Sequence, residues 1–383
     1  MMYKLVKSVA DAVVGRLARA LPAWRRYTVE QTFPARAPYQ PMLPRNMGAV
    51  PPRLAQHFRS VIPFEPHRLY RLHNVHVTWD GAVFQNLRVF TPSVVQPRFA
   101  SRFQDTLLLR QWLGKKVVVE AESVAVCHDQ WSVENYYHWL VDTLPRLLVL
   151  RQSHPNILLM LPQPLPPLEM PDYVVRTATV LGFGQHLPVN TRQTLRAGCV
   201  LLPELTAISL TQNPELIRQV RDELVAAMVP THGLAGRKVY AARSASGVRR
   251  IANEAAVDAL LEAAGFEKVY FEQLTFLEQV ALMSETSVLL GMHGAGMTNM
   301  LFLPPGATVI EMLNADYGDP CYFRLASCLG VPYFCVPCAP THPEQANQSN
   351  VAVEVALLRQ VLAMAMSGTA QPTPSALPSA ESH

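Results

Sequence analysis

Charged side chains are scarce in this chain, at 16% of 383 residues against 49% apolar. That balance excludes a disordered protein, which holds too little apolar surface to order itself. Cysteine is scarcer still, at six. Cys335 and Cys338 form a C-x-x-C, but no second pair stands at zinc-ribbon spacing, and two ligands do not close a tetrahedral site. Cys321 and Cys328, seven apart, share one face of an expected helix as small buried apolar residues. The expectation is a reduced protein with no cofactor and no bound metal. A G-x-S-x-G nucleophile elbow is missing, which removes the esterase reading of His293-Gly294-Ala295-Gly296. No G-x-G-x-x-G stands at a strand-to-helix junction, against a dehydrogenase, and there is no Walker A lysine motif. No repeat of solenoid or propeller period occurs.

The net charge of +4 is local. Lys4, Lys7, Arg16, Arg19, Arg25 and Arg26, against Asp11 and Glu30, give the first 30 residues that whole excess. The neutral remainder argues against a nucleic-acid partner. Leu5, Val6, Val9, Val13, Leu17, Leu21 and Trp24 recur at helical spacing, so this arm reads as an amphipathic helix. Lys7 and Asp11 interrupt its apolar run, against a signal-peptide core or a spanning helix. It either lies on an anionic membrane surface or packs on the protein's own surface.

The length suits two domains. The expected division is a basic helix at 1–29, an α/β domain at 30–229, a second α/β domain at 230–366, and a disordered tail at 367–383. Prolines crowd 30–66, which reads as an extended, packed connector. In the first half, strands are predicted at Val75–Trp79, Lys116–Val126, Asn156–Leu161 and Cys199–Leu202. Helices are predicted at Glu134–Arg151, Asp172–Leu181 and Glu215–Met228. From Lys238 to Val336 strands and helices alternate regularly, and a last helix covers Val351–Met366. Alternation of this kind predicts parallel sheets covered on both faces, with ligands at the carboxyl ends of the strands. The domain boundary is expected at the turn Pro230-Thr231-His232-Gly233.

Gly291-Met292-His293-Gly294-Ala295-Gly296 follows an apolar strand and opens a helix, where backbone N–H groups meet anions. The same glycines also suit tight strand–helix packing. Thr298 and Asn299 fall in the first helical turn as side-chain donors, and His293 sits at the strand end facing phosphate or a sugar hydroxyl. Glu311 ends the next strand, where a carboxylate accepts from ribose hydroxyls. Arg243, with Arg249 and Arg250 beyond it, offers guanidinium groups for a pyrophosphate.

The other feature is a polar stripe on an apolar helix. Asn135, His138, Asp142 and Arg146 recur at three- and four-residue spacing. Buried unpaired they are costly, so they either satisfy one another in the core or line a cleft. A carboxylate on an imidazole raises its basicity, which suits a general base. Pro145 is expected to kink the helix beside Arg146.

N-Y-Y-H-W-L-V-D-T-L-P-R together with G-M-H-G-A-G-M-T-N-M-L-F-L-P-P-G-A-T-V-I-E resembles the family 61 glycosyltransferases, over residues 116–337. The resemblance implies a GT-B-like α/β fold, two Rossmann-like domains with parallel sheets facing a cleft. It also implies inverting, metal-independent transfer from a nucleotide-sugar donor, UDP-linked, to a saccharide or lipid-linked acceptor. His138 or Asp142 is then the base, with Asn135 and Arg146 on the acceptor side. Arg243, His293, Gly294, Ala295, Gly296, Thr298, Asn299 and Glu311 are then donor-binding. Lacking a signal or anchor sequence, the chain reads as a bacterial-type enzyme of cell-surface polysaccharide or capsule synthesis. Such an enzyme is cytoplasmic and peripheral on the cytoplasmic membrane face. The competing reading is a non-catalytic sugar-nucleotide or glycan-binding subunit of a polysaccharide assembly.

Overall fold

The computed structural model describes residues 27–96, 112–207, 210–229, 236–243 and 249–368. The expected N-terminal helix, the turn at Pro230 and the tail beyond Gly368 lie outside the described residues. The chain divides into two compact units. One comprises Ile62–Ala227 with the chain up to Tyr39; the other comprises Gln40–Val61 with the chain from Met228 onward.

The first unit is built on an eight-stranded sheet. Its strands are β1 (Tyr27–Phe33), β2 (His67–Thr78), β3 (Val83–Gln85), β4 (Arg88–Val89), β5 (Lys115–Ala125), β6 (Leu158–Gln163), β7 (His186–Asn190) and β8 (Gln193–Pro203). The order is β4-β3-β2-β8-β5-β6-β7, with β1 paired to β2. The pairs β5–β8, β5–β6 and β6–β7 are parallel. Those of β2 with β1, β3 and β8 are antiparallel, as is β3–β4. The expected parallel sheet therefore holds for only part of this unit. Short connections explain the β2–β3 and β3–β4 pairs, because a tight turn can only fold a strand back against its neighbour. Asn86 and Leu87 join β3 to β4 with φ of 51° and 58°, the positive values of a tight hairpin turn. Gly81, at φ 86°, helps to turn β2 into β3. Leu72, Val75, Val77, Val124, Met160, Val200 and Leu202 form the core.

The second unit carries β9 (Arg237–Ala241), β10 (Glu267–Val269), β11 (Thr286–Met292), β12 (Thr308–Asn314), β13 (Tyr333–Pro340) and β14 (Val351–Ala352), in the order β10-β9-β11-β12-β13-β14. Pairing is parallel from β10 to β13, and only β14 runs antiparallel. β12 is buried along nearly its whole length, as befits a strand covered on both faces. The helices are Glu254–Ala263, Phe276–Ser284, Cys321–Leu329 and Val355–Gly368. Thr275 and Glu278 close a capping box at the start of the second. Gly330, at φ 72°, ends the third in the left-handed region.

The proline-rich stretch is not the connector expected of 30–66. Tyr27–Phe33 is a strand, and Pro52–Arg59 is a helix whose proline occupies the first turn, where no N–H is needed. That helix belongs to the second unit, with Leu54 against Gly318 and Phe58 against Phe323 at 4.6 Å. Asn46 pairs with the backbone of Cys335 on both sides, at 2.6 and 3.0 Å. The expected division, which put all of 30–229 in one domain, therefore differs at Gln40–Val61. Among the described residues no helix is long and apolar enough to cross a membrane.

Candidate active site

In the first unit the polar stripe lies on a helix that starts at Tyr136 and ends at Arg151. Trp139, Leu140, Leu144, Leu147 and Leu150 bury it on most sides. Trp139 Nε1 donates to Thr177 at 2.9 Å, tying it to helix Asp172–Val180. Its second turn, Trp139–Thr143, is a π-turn closed by Leu144 N–H on the Trp139 carbonyl. This wide turn ends two residues before Pro145, which has no N–H to give. The expected disturbance therefore takes the form of a π-turn ahead of the proline.

The structure pairs two of the four stripe residues. His138 Nδ1 lies 2.6 Å from Asp142 Oδ2, with the two side chains 12% and 7% exposed. Burial pushes the Asp142 carboxyl up, and the hydrogen bond from His138 opposes that rise. With Nδ1 committed, Nε2 is the ring nitrogen left for chemistry. Trp131 packs on the His138 ring at 4.8 Å between centroids.

Asn135 and Arg146 do other work. Asn135 caps the helix, its side-chain oxygen accepting from the N–H groups of Tyr137 and His138 at 3.0 and 3.4 Å. Arg146 is 3% exposed; it donates to the Pro203 carbonyl at 2.8 Å and sits 3.5 Å from Asp129. Asn135 thus serves as a cap, and the buried ion pair of Arg146 replaces its expected acceptor-side position. Sequence reasoning missed the turn after β5 that supplies these partners. Asp129 accepts there from the N–H groups of Trp131 and Ser132, and this fixes Trp131 beside His138. The signal was its place at the carboxyl end of a parallel strand.

In the second unit strand register builds the site. Ala241, Gly291, Glu311 and Cys335 are level across β9, β11, β12 and β13. Two residues along a strand returns a side chain to the same face. His293, two beyond Gly291, therefore reaches Glu311, with Nδ1 2.7 Å from Oε1. Tyr333, two before Cys335, donates its hydroxyl to Oε2 at 2.6 Å. Glu311 is fully buried with both oxygens engaged. It orients His293 and does not hold a ribose, a correction to the expected role. Tyr322 packs edge-on against the His293 ring at 5.0 Å.

Arg243, two beyond Ala241, donates to the His293 carbonyl at 3.0 Å. Burial, and then neighbouring Arg249, hold its guanidinium below the ordinary arginine range. A cavity of about 140 Å³ is lined by Arg243, Arg249, Arg250, Tyr240, Tyr270 and Met292, among others. Arg249 adopts φ 65°, a left-handed value that a side chain rarely takes. His293 and Arg249 also line a smaller neighbouring pocket.

The glycines have packing roles. A Cβ on Gly291 meets Met297 Sδ at 2.6 Å, and one on Gly294 meets Arg243 Nη1 at 2.8 Å. One on Gly296 meets the Phe271 ring at 3.0 Å. The helix they open, Ala295–Phe302, is a 3₁₀ helix, and Ala295 and Gly296 stand where N–H groups lack intrahelical acceptors. Thr298 and Asn299 are fully buried, and Asn299 donates to Gln279 at 2.9 Å. They are core residues of the helix, which corrects their expected role as ligand donors. His293, Asp319 and Cys321 place one ligand atom each within 4.8 Å of one another.

Residues 136–310 match the family model described as Glycosyltransferase 61. The segment runs from the first turn of the π-turn helix into the start of β12, so both His138 and His293 fall inside it. The matches support a glycosyltransferase. An EGF domain-specific O-linked N-acetylglucosamine transferase of Drosophila melanogaster is 43% identical over 89 residues, 22% of this chain and 17% of that protein. The proteins of the same name from Canis lupus familiaris and Mus musculus are 43% and 41% identical over 63 residues, 16% of this chain and 12% of theirs. The alignments thus span under a fifth of the curated relatives' length. These relatives are animal proteins, whereas the sequence reading expected a bacterial capsule type.

Proposed function

We propose that this chain is an inverting glycosyltransferase that moves a sugar from a nucleotide diphosphate to an acceptor hydroxyl without a metal. The observation that carries this reading is the buried His138–Asp142 pair inside the family segment. Asp142 holds the imidazole by Nδ1, and Nε2 takes the proton of the acceptor hydroxyl as its oxygen attacks the anomeric carbon. The bond from that carbon to the phosphate oxygen breaks, and the diphosphate leaves with both electrons of that bond. In the second unit, Arg243, Arg249 and Arg250 and the amides of Ala295 and Gly296 are the groups suited to a diphosphate's charge. His293, held by Glu311, donates to the leaving diphosphate or the sugar. The relatives' printed names favour an N-acetylglucosamine donor, and the nucleotide we propose is UDP. The acceptor we propose is a glycan or lipid-linked saccharide.

The test is calorimetric titration of UDP into the full chain with EDTA present, beside GDP and CMP. Saturable UDP binding is expected, and no binding of any of the three removes the donor site. A screen of nucleotide sugars for acceptor-independent hydrolysis then identifies the donor.

A further inference from the structure

We propose that His293, Asp319 and Cys321 form a three-ligand site for a thiophilic divalent cation, zinc foremost. It shares His293 with the transfer site proposed above, so an ion on Nε2 and a diphosphate at that nitrogen exclude one another. Their ligand atoms lie within 4.8 Å of one another. Asp319 and Cys321 are separated from His293 by the helix Ala295–Phe302, β12 and the loop after it, so the fold and not sequence proximity gathers them. The donor set of one imidazole, one carboxylate and one thiolate matches zinc, and three protein ligands leave one coordination position open.

The surroundings favour the site. His293 already gives Nδ1 to the buried Glu311 carboxylate, which leaves Nε2 for an ion. A carboxylate behind a ligating histidine fixes the ring and raises its basicity, the usual arrangement around zinc. The Tyr322 ring further limits the imidazole's rotation. Cys321 is buried at the start of helix Cys321–Leu329, and Asp319 accepts its backbone N–H at 3.0 Å. Ligand and cap thus come from one short turn. Zinc bonds of about 2.0–2.3 Å imply ligand atoms about 3.5 Å apart, so binding draws the side chains together by about 1 Å. Asp319, half-buried in a turn, has the freedom to close that distance. The ion takes the Cys321 sulfur as thiolate, and the thiol proton passes to solvent.

Cobalt(II), a spectroscopic substitute for zinc, tests the site on the full chain. The expected result is a thiolate-to-cobalt charge-transfer band, with visible bands of four-coordinate geometry, that zinc displaces stoichiometrically. Cys321→Ser abolishes the charge-transfer band, and Asp319→Asn, which keeps the cap, weakens zinc binding more than about tenfold. Glu311→Gln weakens it about tenfold through the histidine. Cys199→Ser, in the other unit, leaves the band unchanged. Metal-free melting temperatures show that each variant is folded. Absence of the band in the folded wild-type protein, or its survival in Cys321→Ser, overturns the site. Neither outcome touches the UDP titration, so the two proposals fail separately.

Discussion

Oδ2 of Asp142 lies 2.6 Å from Nδ1 of His138 across a π-turn of the same helix. The pairing sits in a segment where Trp139, Leu140, Val141 and Leu144 are all nearly inaccessible. A polar pair retained in such surroundings is satisfied internally on one nitrogen and leaves the other for a reaction.

On that basis His138→Gln lowers transfer by at least ~100-fold, the usual worth of a positioned base. Asp142→Asn, which spoils the tautomer, acts in the same direction. Nucleotide affinity changes little in either. Single-turnover transfer and UDP calorimetry separate the two effects. Near-normal turnover in a variant removes that residue from the mechanism.

Arg146→Ala is expected to act on stability. It strips the buried Asp129 of its charged partner and leaves the Pro203 carbonyl without the arginine donor, at a cost of about 3–5 kcal/mol. Urea denaturation reads this directly. Unchanged stability with a raised acceptor KM restores the acceptor-side role.

Gly291→Ala and Gly294→Ala separate packing from binding. The first forces a Cβ against Met297 and Ala241, and costs about 1–3 kcal/mol of stability as an overpacked core position. The second meets only the flexible end of Arg243, which swings aside with small loss of stability. UDP affinity then falls about tenfold, as expected for a lost charged hydrogen bond. Equal melting temperatures for the two variants contradict this division.

His128 gives a pH signature. Burial holds its imidazole at about 4, against 6.5 for the free side chain. The unfolded chain therefore binds a proton that the folded chain refuses, so stability is full above pH 6.5 and falls as pH drops toward 4. The loss is up to about 3 kcal/mol from this one group. His128→Gln, which keeps a donor for the Trp79 carbonyl, flattens that part of the urea-midpoint profile. An unchanged slope places the acid sensitivity elsewhere.

How much was readable varied with the range of the forces involved. Helix Asp172–Val180 depends on near neighbours, so composition and spacing report it. The His138–Asp142 pair was visible for the same reason, since four residues on a helix return to one face. β1 and helix Pro52–Arg59 were hidden among prolines, whose local signal is the same whether the chain is a linker or is packed. Asn86-Leu87 makes a hairpin turn without the glycine that usually announces one.

By itself the sequence determined the alternating α/β plan of the second half, the polar stripe and the motif around His293, because each is written in local period and spacing. Tertiary structure decided what those residues do. Strand register, a relation between segments far apart in the chain, brought Tyr333 and His293 to Glu311 and turned an expected ribose ligand into a buried support. Burial did the same for Thr298, Asn299 and Arg146, and the fold of one turn set Asp319 and Cys321 beside His293. Pairing and burial depend on the whole chain's packing, and no window of sequence contains them.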